Sequence, residues 1–134
     1  MIVVSGCLAG IKCKYNGTES TDETVVELVK QGKAIPVCPE QLGGLPTPRP
    51  CCEFVGDRVL TTLGIDVSEQ FLKGAEEGLR LAKLVGAKKA ILKSRSPSCG
   101  YGKIYDGTFS GKLIAGDGLF AAMLKENGIT VESV

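Results

Sequence analysis

Three short apolar runs, Ile2–Ser5, Ala34–Val37 and Lys88–Lys93, each give way to a turn that carries a cysteine. Runs of this length suit buried strands. Segments with helical spacing lie between them, so the chain alternates strand and helix, which is the mark of a mainly parallel α/β sheet with helices on both faces. The expected architecture is a Rossmann-like three-layer sandwich formed by residues 1–134 as one domain. Parallel strands end on one edge of their sheet, and open α/β sheets bind ligands at that edge. Cys7, Cys38 and Cys99 each follow one of the three strands, so the topology predicts that they converge.

The third turn is the most sharply written. Leu92–Gly102 reads LKSRSPSCGYG, where Pro97 has no N–H to give a ladder and Gly100 is free to take positive φ. Elsewhere, Ser20, Thr21 and Asp22 offer N-caps for a helix reaching about Gln31, with Val25, Val26, Leu28 and Val29 on its apolar side. Pro36 inside the second strand marks it as an edge strand or a strand start. Gln41–Cys52 is too rich in glycine and proline for regular structure, and Asp57–Thr62 reads as a hairpin arm closed near Gly64. Val67–Val85 is the clearest helix, with Val67, Phe71, Ala75, Leu79, Ala82 and Val85 at spacings of three and four. Lys103–Phe109 suits a strand or an extended loop. A last helix starts at Asp117 and ends at Asn127-Gly128, and Ile129–Val134 makes a final strand.

Composition removes several chemistries. Histidine is absent, and with it every Ser-His-Asp or Cys-His arrangement and all histidine metal sites. The 16 basic and 15 acidic residues nearly cancel, which gives no nucleic-acid footprint overall. No apolar run approaches the ~18 residues of a membrane span, and Met1-Ile2-Val3-Val4 is too short for a signal peptide, so a cytoplasmic protein is expected. In that compartment six cysteines imply metal or cluster ligation, redox chemistry or small buried hydrophobes rather than a disulfide framework.

Three converging thiolates without histidine suit a soft metal centre, either an iron–sulfur cluster with one iron lacking a protein ligand or a zinc site with one open position. The plainer reading, three small buried residues at strand ends, stands beside it. Glu40 lies two residues after Cys38, and Ser96 three before Cys99, which places both beside the same centre. A carboxylate there suits general acid–base work. Taken singly, Glu40 reads as an N-cap or surface charge and Ser96 as a turn-forming hydroxyl.

The segments VSGCLAGIKCKYNG, IPVCPEQLGGLPTPRP, GIDVSEQFLKGA, AILKSRSPSCG and IYDGTFSGKLIAGDG, in that order over nearly the whole chain, resemble the single-domain bacterial thiouracil desulfidase family. The resemblance implies a 4Fe-4S cluster held by Cys7, Cys38 and Cys99, with one open iron, and catalytic roles for Glu40 and Ser96. The reaction it implies replaces C=S by C=O in a small thiolated pyrimidine, using water and releasing hydrogen sulfide without net electron transfer. Glu40 would activate the water or shuttle its proton, and Ser96 would orient the base or relay protons.

Cys13, in the matching KCKYNG stretch, reads as a fourth ligand, a neighbouring thiol or a packed residue. Cys51-Cys52 departs from the family pattern, where proline-rich apolar residues are usual, so no role is carried onto that pair. Arg49, Lys93 and Arg95 flank the same loops and suit a phosphate if the substrate is a nucleotide or RNA, although solvated surface charge is the stronger reading for each. A free base or small thiolated heterocycle is favoured as substrate. The competing classes are a non-catalytic zinc or cluster module in sulfur or RNA metabolism, and a thiol redox protein using Cys51-Cys52 or Cys7 with Cys13.

Overall fold

Main-chain hydrogen bonds join β1 (Ile2–Ser5) to β2 (Ala34–Val37) on one side and to β5 (Lys89–Leu92) on the other, all parallel, in a computed structural model that describes residues 1–134. β8 (Thr130–Ser133) adds to β5, also parallel, which gives the sheet order β2-β1-β5-β8. The chain moves outward from β1 in opposite directions to reach β2 and β5. That reversal opens a crevice beyond the carboxyl ends of β1 and β5, where the connections leave to opposite faces. β2 is an edge strand, as Pro36 requires.

Successive residues of a strand face opposite ways, and here each face has its own helical layer. Val4, Ile91 and Ala34 face α1 (Glu23–Lys30), whose Val25 is fully buried with Leu28 and Val29 packed beside it. Val3, Ala90 and Leu92 face α3 (Ser68–Leu84) and α4 (Leu119–Glu126), represented by Ala75, Ala82, Phe120, Ala121 and Leu124. The result is the three-layer α/β sandwich expected from the sequence. Asp22 caps α1 by accepting the Val25 N–H at 3.1 Å. Asp117 stands before the last helix, which starts at Leu119, and its carboxylate instead accepts the Gly102 N–H and pairs with Lys125.

The structure corrects the sequence reading between residues 39 and 61. A single helical turn, α2 (Pro39–Leu42), begins where loop was expected, with Pro39 at its first position, where a missing N–H costs no hydrogen bond. The expected arm is β4 (Arg58–Thr61), and it does turn back near Gly64, where Leu60 bridges Asp66 antiparallel and the Thr61 N–H donates to the Ile65 carbonyl at 2.9 Å; what the reading lacked is its other partner, β3 (Cys52–Val55), joined across Gly56-Asp57. A second ribbon pairs β6 (Lys103–Tyr105) with β7 (Leu113–Ala115), so the 103–109 stretch opens as a strand.

α2 is held close against α3 by two glycines. A Cβ on Gly74 would run into the Pro39 carbonyl oxygen, and one on Gly43 into the Gln70 carbonyl oxygen. Backbone therefore meets backbone, and the position of Glu40 on α2 is set by α3. Gly74→Ala must separate the two helices, with an expected loss of about 1–3 kcal/mol in urea unfolding. An unchanged unfolding midpoint would contradict the close approach.

Candidate active site

Each strand-end cysteine is delivered by a different local device. Cys7 lies in the short 3-10 turn Gly6–Ala9 that follows β1 without a break. Cys38 directly follows β2 and occupies the N-cap of α2. Cys99 follows β5 in a bend fixed by Ser96, whose Oγ accepts the Cys99 N–H at 2.7 Å and the Ser98 N–H at 3.3 Å. Within that bend Arg95 adopts φ 78°, a left-handed conformation that is costly for a non-glycine residue and turns the chain toward Ser96.

A cavity of about 320 Å³ opens beyond these strand ends, within the size range of small-molecule sites. Cys7, Cys38, Cys99, Glu40 and Ser96 all line it, so the structure brings together every candidate site residue read from the sequence. Cys13, Cys51 and Cys52 line it too, and all six cysteines are free thiols. Ser5 closes the floor, 3% exposed, with its Oγ accepting the Lys93 N–H at 2.9 Å. The sequence signal for Ser5 was a polar residue ending an otherwise apolar buried strand.

The thiols sense one another. Burial pushes the Cys99 thiol up to about 12, with Glu40, Cys38 and Cys7 adding negative charge nearby. Burial and the neighbouring Cys38 likewise raise Cys7. Cys38 differs. As a thiol it donates to the Cys13 carbonyl oxygen at 3.7 Å; once ionised it receives a hydrogen bond from the Cys13 thiol, which lowers Cys38 and raises Cys13. Thiols held protonated by burial and mutual repulsion give up their protons to a cationic centre, because ligation deprotonates them outright.

That donor set fits an iron–sulfur cluster better than a single ion. Zinc–sulfur bonds of about 2.3 Å would draw the sulfurs tightly together. No three Cys, Asp or Glu side chains are so arranged. The thiols stand instead around a cavity far larger than one ion. The redox reading of Cys51-Cys52 is also disfavoured, since burial raises both thiols, Cys52 to about 12, whereas a reactive cysteine needs a lowered one.

Arg49 overturns the expectation of solvated surface charge, because only 3% of its side chain is exposed and its Nε donates to Glu40 Oε1 at 3.0 Å. An arginine in a Pro-Thr-Pro-Arg-Pro stretch carries no sequence signal of burial. Lys93 is half-buried and Arg95 exposed, and both line the cavity.

An α/β protein with three cysteines at the ends of adjacent parallel strands, and a carboxylate and hydroxyl beside them, is of the metal-cluster enzyme class. The sequence model of the 2-thiouracil desulfurase family matches residues 2–134, and the chain belongs to that family. The uncharacterized protein YbbK of Bacillus subtilis (strain 168) is 46% identical, covering 99% of this chain and 95% of YbbK. Among solved structures, the [4Fe-4S]-dependent thiouracil desulfidase TudS superposes with a TM-score of 0.93 at 44% identity, covering 98% of this chain and 89% of TudS. No helix is long and apolar enough to cross a membrane.

In the metal-free protein Cys38 is expected to take the first label from iodoacetamide at neutral pH, since it alone has a lowered thiol and its thiolate fraction rises earliest with pH. Peptide mass spectrometry reads the order. Earlier labelling of Cys99 would contradict the assigned environments.

Proposed function

We propose that this chain is a 4Fe-4S-dependent desulfidase that converts a small thiolated pyrimidine such as 2-thiouracil to its oxo form, releasing hydrogen sulfide. The observation that carries the reading is that Cys7, Cys38, Cys99, Glu40 and Ser96 line one cavity at the carboxyl ends of β1, β2 and β5. Cys7, Cys38 and Cys99 are the proposed cluster ligands, and residues 1–134 are read as one working domain in the cytoplasm. When bound, a cluster held by three cysteines supplies one iron free of protein ligands, a Lewis acid for the sulfur of a C=S group.

The remaining work falls to side chains. Glu40 Oε1 is engaged by Arg49, and Oε2 accepts no hydrogen bond from the protein, so it is available to take a proton from water attacking the ring carbon. Ser96 Oγ already accepts two main-chain N–H groups, which leaves its own proton to be donated toward the heterocycle. Water supplies the oxygen of the new carbonyl and both hydrogens of the hydrogen sulfide, the substrate supplies its sulfur, and carbon undergoes no change of oxidation state.

Anaerobically loaded protein is expected to release sulfide and uracil from 2-thiouracil in equal amounts. Glu40→Gln should retain the iron and lose at least about a hundredfold in turnover, and Ser96→Ala should lose about as much. Serine at Cys7, Cys38 or Cys99 should lower the bound iron itself. Full turnover by Glu40→Gln, or full iron content in all three serine variants, would overturn the assignment.

A further inference from the structure

The guanidinium of Arg49 makes contacts whose pattern is unlike that of a substrate-binding arginine. Four of its five N–H donors are spent on the protein. Nε donates to Glu40 Oε1 at 3.0 Å, Nη1 to the Pro46 carbonyl at 3.2 Å and Thr47 Oγ1 at 2.9 Å, and Nη2 to the Cys13 carbonyl at 2.8 Å. Its main-chain N–H also donates to the Tyr15 carbonyl at 2.7 Å. The 13–15 loop is thereby tied, through one side chain, to the segment that runs from α2 to residue 49.

A buried ion pair is a poor device for stability, because desolvating both charges offsets most of their attraction. Its yield is geometry. An arginine fork is planar, and with Nη1 and Nη2 anchored on main-chain carbonyls the direction of Nε is fixed. The carboxylate is engaged through one oxygen only, which leaves the other without a protein donor on a residue that lines the cavity. The Cys13 carbonyl that receives Nη2 also receives the Cys38 thiol, so the same anchor lies beside a proposed ligand.

We infer that Arg49 is a positioning residue: by fastening the segment from α2 to residue 49 onto the 13–15 loop, it orients the Glu40 carboxylate toward substrate and does not itself bind substrate. The inference rests on the role proposed for Glu40. Lysine can supply the charge at Arg49 but cannot reproduce the fork, and glutamine supplies neither.

The test compares cluster-loaded wild type with Arg49→Gln and Arg49→Lys, each also combined with Glu40→Gln, using 2-thiouracil. Arg49→Gln should lower kcat about a hundredfold, as expected for a displaced catalytic group, with KM changed by less than about threefold. Arg49→Lys should recover part of the loss. In the Glu40→Gln background either substitution should cost less than about threefold more, because residues acting through one another are not additive. Iron content and the visible spectrum should be unchanged, while amide exchange in residues 40–47 should quicken in Arg49→Gln.

A raised KM at unchanged kcat would make Arg49 a substrate ligand and overturn the inference. Full additive losses in the double variants would overturn it equally. If Arg49→Gln does not fold, Arg49→Lys and its double variant carry the same comparison. If Glu40→Gln proves fully active, the proposed function loses its base; the orienting role is then judged on exchange alone, and unchanged exchange in residues 40–47 overturns it.

Discussion

The parallel hydrogen-bond ladder between β2, β1 and β5 is the constraint on which everything else depends. Neighbouring strands in a sheet run about 4.8 Å apart. Three adjacent parallel strands therefore present three chain ends side by side, and the short turns that follow Ser5, Val37 and Leu92 have only to bend each cysteine toward the same edge. The reversal of strand order at β1 then supplies the crevice, because the connections on its two sides leave to opposite faces. Fold and site are thus one decision taken by the sheet.

What the sheet does not fix is the set of loops above it, and there two buried charged residues do the fastening. Arg49 binds the loop after α2 to the loop after the first turn. Glu53, 4% exposed on β3, accepts the Gly107 N–H at 2.9 Å and the Phe109 N–H at 3.1 Å, which ties the 105–110 loop to the hairpin. Both are charges that would be expensive to bury without partners. α2 is placed differently, by glycine contacts against α3 that bring backbone to backbone. The segments that carry the cavity lining are therefore held by one ion-paired latch, one carboxylate clamp and one close helix contact.

Sequence reading succeeded where periodicity and turn chemistry are local. β1, β2, β5, α1 and α3 were legible within a residue or two from apolar runs and three-four spacing, and the convergence of Cys7, Cys38 and Cys99 followed from their place after strands. It failed at β3 because the inward-facing residue there is Glu53, a carboxylate where the alternating pattern calls for an apolar side chain. Its compensation comes from N–H groups more than fifty residues away. α2 escaped notice because Gly43-Gly44 follows it at once, although Pro39 at its first position was a usable start signal. Arg49 could not be read as buried, since its partners Glu40 and Cys13 meet it only after the sheet has formed.

The central proposal is that Cys7, Cys38 and Cys99 would hold a cluster and leave one iron free of protein ligands. Anomalous diffraction at the iron edge from anaerobically grown crystals of the loaded protein measures it directly. Iron density contacting Cys7, Cys38 and Cys99 Sγ, with one iron free of protein ligands, is the predicted result. Density ligated by Cys13, Cys51 or Cys52 in place of one of these thiols, or a single metal ion in the cavity, would contradict it.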